Sequence, residues 1–211
     1  MFIKVQLYFN TIRYLKPKQI FYIVFYRLKK IFLFRNKLNI KPVVVGDICW
    51  EDKILNKNSF SESDLTFSFL NISHSFNDKI FWNINTYGQL WNYNLNYFDY
   101  LIQNRISKSQ GLRIINNFIE FNHKARDWSN DPYPISLRIV NWIKFIVKNK
   151  VRNDRINSFL LRDANRLYNN LEYHILGNHL LENAFSLLFA SYYFKNTRFY
   201  NKAKQILTSQ L

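Results

Sequence analysis

Apolar residues recur every three or four positions through the second half of the chain, the spacing of helices with one buried face. Residues 90–103 carry Trp91, Leu95, Phe98 and Leu101 in this way, and residues 110–123 carry Leu112, Ile115, Phe118 and Phe121. A turn-rich stretch, Asp127-Trp128-Ser129-Asn130-Asp131-Pro132-Tyr133-Pro134, follows. Pro134 suits a first helical position, because its missing N–H would have no partner there anyway. The next helix is predicted to run to about Lys150 on a stripe of Leu137, Val140, Ile143 and Val147. Three more are predicted over 154–175, 178–194 and 198–211, with Gly177 as the break between the first two. Six helices joined by short links read as stacked antiparallel hairpins, a mainly α fold.

Before residue 90 the pattern is different. Residues 41–46 read as a short extended segment closed by Gly46, and residues 64–76 and 79–85 alternate loosely, as short strands or extended loops do. The first 46 residues hold ten Lys or Arg and no acid. Within them, residues 20–26 form an apolar run followed by Arg27, Lys29 and Lys30. A span needs about 20 apolar residues, so this run does not cross a membrane. Charges on both sides and the lack of a small-residue cleavage site argue against a signal peptide. Two readings remain open: an amphipathic basic helix on an anionic membrane, with Phe21, Phe25 and Phe32 inserted, or a helix packed on the main domain with its lysines in water. The organisation expected is a basic arm over residues 1–60 and a helical domain over 61–211.

Composition narrows the function classes. With 211 residues, 48% hydrophobic and 18% aromatic, the chain has ample material for a core and is not intrinsically disordered. Four Gly and four Pro are too few for a loop-rich β-sandwich. Cys49 is the single cysteine, which excludes an internal disulfide and a four-cysteine zinc site. The net charge of +16 fits a polyanionic partner, but the abundance of Lys, Asn, Ile, Phe and Tyr is also what A/T-rich codons produce. No recognised nucleic-acid motif accompanies the charge, so no specific nucleic-acid partner is expected.

Candidate chemistry concentrates in one stretch, Leu171-Glu172-Tyr173-His174-Ile175-Leu176-Gly177-Asn178-His179-Leu180-Leu181-Glu182-Asn183. Asn178 and His179 stand together at a predicted helix start, and Glu182 lies three residues on, on the same side of the first turn. An amide, an imidazole and a carboxylate would then meet one ligand. A purely structural account also fits: Gly177 ends one helix, Asn178 caps the next, and Glu182 complements the helix dipole. His74 and His123 have no evident partners in the sequence. HExxH, a phosphate-cradling glycine loop and a GxSxG elbow are all missing, so no metal or cofactor is expected. Aromatic and polar residues interleave over 91–100 and 128–133, followed by Arg138, Asn141 and Trp142, a mixture that suits sugar faces and hydroxyls.

Three strings in order carry a resemblance: Leu90-Trp91-Asn92-Tyr93-Asn94-Leu95-Asn96-Tyr97-Phe98-Asp99-Tyr100-Leu101, then Pro132-Tyr133-Pro134-Ile135-Ser136-Leu137-Arg138-Ile139-Val140-Asn141-Trp142, then residues 171–180. Together they resemble the heparinase II/III family of polysaccharide lyases, and residues 11–20 are similar to the start of its bacterial members. The resemblance covers essentially the whole chain but only the front part of the family's architecture. It implies an α/α toroid of helical hairpins, here incomplete, and β-elimination on uronic-acid-containing polysaccharide. Asn178 would neutralise the C5 carboxylate, and His179 would be the neighbouring base or a substrate contact. Tyr97, Tyr133, Arg138 and Glu182 would contact substrate. The family's further Tyr and His, and its β-sandwich, would fall beyond Leu211. The chain is therefore expected to be a piece of a longer protein, with little lyase activity alone; the alternatives are a non-catalytic helical module that binds anionic glycan and a basic membrane- or polyanion-associated helical protein. Related lyases usually act outside the cytoplasm; which uronate polymer is cut, the compartment and the oligomeric state are left open by the sequence.

Overall fold

The structure is a computed structural model that describes residues 13–32, 45–46, 48, 59–61, 65–77, 79–103, 106–122 and 128–210. Its described part is mainly helical, with seven α-helices and one small sheet. In chain order the helices are α1 (Pro17–Phe32), α2 (Gln89–Tyr97), α3 (Lys108–Asn122), α4 (Pro132–Lys148), α5 (Asp154–Asn169), α6 (Gly177–Tyr193) and α7 (Thr197–Gln210). Strands β1 (Phe60–Ser61), β2 (Thr66–Phe69) and β3 (Ile72–Ser75) form an antiparallel sheet in that order, with Phe67 opposite Phe60 and His74.

Helix α4 is the centre of the packing. It lies against α2 on one side and α6 on the other, while α3 meets α5 in a second layer. Each of α4–α5 and α6–α7 is a packed hairpin, as short links between helices require. The apolar stripe of α4 explains its place: Ile135, Ile139, Trp142, Ile143, Phe145 and Ile146 are all buried. Gly111 on α3 permits the close approach of its neighbour, because a Cβ there would lie 2.3 Å from the Phe145 ring. Phe118, Trp142 and Phe159 continue the core across the second layer, with ring centroids 5.4–6.0 Å apart.

Helix boundaries differ from the periodicity at three places. The helix expected over 90–103 stops at Tyr97, where Phe98 adopts a left-handed conformation (φ 60°) before a 3₁₀ turn, Asp99–Ile102. The strained backbone puts the Phe98 ring into the core, stacked on Trp82 at 5.1 Å and edge-on to Trp142 at 5.3 Å. The helix expected to start at Pro134 starts at Pro132. The helix expected over 154–175 ends at Asn169, so Gly177 ends nothing; it opens α6, and Leu176 rather than Asn178 occupies the cap position.

Of the extended segments, 66–69 and 72–75 are strands, whereas 79–85 is a turn-rich path that buries Ile80 and Trp82. The extended reading of 41–46 lies outside the described residues except for its end, where the buried Gly46 N–H donates to the Tyr193 carbonyl at 2.7 Å. Cys49 and His123 also fall outside the described residues, as does the side chain of Phe32. The basic helix α1 is docked on the body: Gln19 Nε2 donates to the Ile175 carbonyl at 3.1 Å, Tyr22 stacks on Tyr173 at 4.6 Å, and the Tyr26 hydroxyl donates to the Leu171 carbonyl.

Candidate active site

The first turns of α4 and α6 start at the same end of the helix layer, and the turn over 170–176 and the rim of α2 join them there. The turn doubles back tightly. The Glu172 carbonyl accepts from both Ile175 and Leu176 N–H at 3.0 Å, and Leu176 (φ 64°, ψ −162°) holds a backbone state otherwise reserved for glycine. This reversal brings the buried Glu172 carboxylate back over the start of α6.

Two residues then lock that carboxylate. Asn183, one helical turn past His179, donates through Nδ2 to Glu172 Oε2 at 2.9 Å and to Ser136 Oγ at 3.0 Å. Its Oδ1 accepts the Glu172 N–H at 2.8 Å. Ser136 in turn donates to the Pro132 carbonyl at 3.0 Å, so α4, the turn and α6 share one network. The other carboxylate oxygen, Oε1, faces His179 Nδ1 at 3.1 Å. With Glu172 6% and His179 38% exposed in their side chains, the acid is inside and the imidazole is half out. A carboxylate at Nδ1 selects the tautomer with the proton on Nδ1 and leaves Nε2 as the basic nitrogen.

Aromatic rings border the imidazole. The Tyr133 ring lies 4.3 Å from that of His179, and Tyr97 meets Tyr133 edge-on at 5.8 Å. Tyr93 continues the row and donates to Asp131 Oδ2 at 2.6 Å. Burial, then the nearby Glu182 and Glu172 carboxylates, hold the Tyr133 hydroxyl above the ordinary phenol range. Burial does the same at Tyr97, aided by Tyr133 and Asp99, and at Tyr93, aided by Asp131. At neutral pH all three are therefore hydrogen-bond donors with their protons in place.

Four of the residues singled out in the sequence meet here. His179, Tyr133 and Tyr97 are in ring contact, and Glu182 acts electrostatically on Tyr133. Asn178 is exposed in the first turn of α6, one residue before His179. Arg138 does not belong with them. It is fully buried, donates through Nε and Nη2 to Asp163 Oδ2 at 3.0 and 2.7 Å and through Nη1 to the Ser129 carbonyl at 2.9 Å. Its charge is consumed inside the core, and it cannot line a cleft. Most of the 91–100 string is core as well: Trp91, Asn92, Leu95, Asn96, Phe98 and Tyr100 are buried, and Asn92 and Asn96 donate to the Trp82 carbonyl.

Glu172, Asn183 and Ser136 were not singled out by the sequence, although all lie within the quoted strings. The Glu172–His179 separation of seven residues crosses a reversed turn, so no helical spacing points to it. His74 has a partner too, Tyr87, at 3.0 Å. Among the described residues, no group of three or more His, Cys, Asp or Glu is placed to hold a metal ion. No family model, curated protein or solved structure matches the chain.

Proposed function

We propose that the chain is the N-terminal, α/α-toroid part of a heparinase II/III-like polysaccharide lyase acting on uronic-acid-containing polysaccharide by β-elimination. The observation that carries this reading is the imidazole of His179, backed at Nδ1 by a buried carboxylate and flanked by a protonated tyrosine and an exposed amide. The alternate-helix packing of α2, α4 and α6 is compatible with the front of a toroid.

In the reaction, the Asn178 amide donates to the C5 carboxylate and disperses its charge, which acidifies the C5 proton. His179 Nε2 takes that proton. The electron pair of the C–H bond becomes the C4–C5 double bond, and the C4–O bond breaks. The leaving oxygen needs a proton, which the resemblance assigns to a tyrosine. Tyr133 and Tyr97 offer rings and hydroxyl donors to the flanking sugars.

The test uses a uronate polysaccharide and its carboxyl-reduced counterpart. The ¹⁵N imidazole signals of His179 are expected to shift with the first and not the second. Equal response to both would overturn the reading. The 211-residue chain alone is expected to release no unsaturated uronate.

A further inference from the structure

Helix α1 has two faces of different chemistry. At 100° per residue, Gln19, Tyr22 and Tyr26 share the side that grips the 171–175 turn. The opposite side carries Phe21, Val24, Phe25 and Leu28, a stripe at i, i+3, i+4 and i+7, exposed by 62, 52, 43 and 49%. Tyr14, just ahead of the helix, is 82% exposed. Four large apolar side chains in one row facing solvent are a docking surface rather than scattered surface residues.

The charges around the stripe identify what covers it. Arg13, Lys16, Lys18 and Arg27 are exposed, with Lys18 and Arg27 on its two flanks. No Asp or Glu occurs in the first 46 residues. A second copy of the chain would set these cations against each other. An anionic bilayer offers the reverse: headgroup charge at the level of the cations and acyl chains beneath it for the rings. No helix among the described residues is long and apolar enough to cross a membrane, so the contact is one of lying on the surface. We propose that α1 seats the protein on an anionic lipid surface through Phe21, Val24, Phe25 and Leu28. The helix is then a strap between bilayer and site. Its inner face holds the turn from which Glu172 reaches His179, with Lys18 Nζ 5.0 Å above the Tyr173 ring.

The full chain is tested by flotation with vesicles of phosphatidylcholine alone and of phosphatidylcholine with phosphatidylglycerol, at low and high salt. Binding is expected only with phosphatidylglycerol and is weakened by salt. F21S and F25S are each expected to lower partitioning by about tenfold, and K16E and R27E by about fivefold or more. All four positions are exposed, and the variants should keep the parent melting temperature. Equal binding to neutral vesicles, or parent-like binding by the F21S/F25S pair, would overturn the proposal. So would a dimer in sedimentation that this pair dissolves, since a second copy would then own the stripe. The assay contains no glycan, so its outcome is independent of the lyase reading.

Discussion

Two acid–base pairs in this molecule have nearly the same contact distance and opposite characters. Arg138 and Asp163 meet at 2.7 Å with side chains 0 and 1% exposed. His179 and Glu172 meet at 3.1 Å with the base 38% and the acid 6% exposed. In both, the carboxylate is inside the protein. The difference lies in the base. The guanidinium has every described contact turned inward: two bonds to one carboxylate oxygen, one to a backbone carbonyl, and the Phe118 ring 4.7 Å away. The pair is a fixed brace between α4 and α5. The imidazole keeps one nitrogen for the carboxylate and has a second one to use, at a rim that solvent reaches. A site for proton transfer needs that asymmetry; a brace needs its absence.

The harshest way to break the comparison is at the brace. Asp163→Ala leaves a buried guanidinium without its counter-charge, and a loss of about 3–5 kcal/mol is expected in urea unfolding. Replacing both partners with apolar residues, R138M with D163L, is expected to recover most of that loss, because both charges of the pair are then gone and Arg162, 3.5 Å from Asp163 Oδ1, keeps its bond to Asn122. If D163A costs as little as a surface substitution, Arg138 is not held in the core by this pair.

Alkaline pH separates interior and rim next. Tyr193 is buried and donates to Asn157 Oδ1 at 2.8 Å; burial pushes its hydroxyl from the ordinary 10.0 up to about 12. The folded state holds this proton more tightly than the unfolded chain. The stabilisation is complete below pH 10 and is lost as pH rises through 12, by up to about 3 kcal/mol. Tyr193→Phe should remove that part of the slope above pH 10, at a cost of about 1 kcal/mol at neutral pH. Tyr100, fully buried and also raised by burial, is expected to ionise only on unfolding. Tyr133, half-buried at the rim, should give phenolate absorbance before the chain unfolds.

The two pairs also show how far the sequence could be read. Helical periodicity located the helices from residue 90 onward because their buried faces are long and regular, as in α4. It could not place Phe98, whose left-handed backbone is held by the rings of Trp82, Tyr100, Phe118 and Trp142. Arg138 looked like a ligand because it sits beside Asn141 and Trp142 in a polar–aromatic string. Its true partner, Asp163, lies on the next helix, and nothing local announces that pairing. Glu172 escapes pattern reading for the opposite reason. It becomes a neighbour of His179 only through a turn that relies on a strained Leu176, which pattern rules assign to the end of a helix. Asn178 and His179 were legible because they are adjacent at a helix start.

At the rim, Glu172→Gln is a sharper probe than truncation. Asn183 Nδ2 occupies one acid oxygen as a donor, so the new amide must turn its oxygen to Asn183 and its NH₂ to His179. Nδ1 then becomes an acceptor, and the imidazole proton moves to Nε2. The expected cost is about 1–2 kcal/mol in stability, with the tautomer inverted in ¹⁵N spectra and the basic nitrogen lost. A retained Nδ1–H would show that the carboxylate does not select the tautomer.

The smallest effect on the fold is expected at the residue with the largest predicted role. Asn178 is exposed in the first turn of α6, and Asn178→Ala should change stability by no more than about 0.5 kcal/mol. On the proposed reading its loss removes the donor for the sugar carboxylate, so binding of a uronate chain should fall by about tenfold, while the carboxyl-reduced chain is unaffected. On the proposed reading, a form that turns over should lose β-elimination with the same change, since the amide is the group assigned to neutralise the C5 carboxylate. A protein that merely holds anionic glycan would keep most of its affinity in N178A and would depend instead on the tyrosine rim. The ratio of uronate to carboxyl-reduced binding in this one variant therefore decides whether the rim performs chemistry or only adhesion.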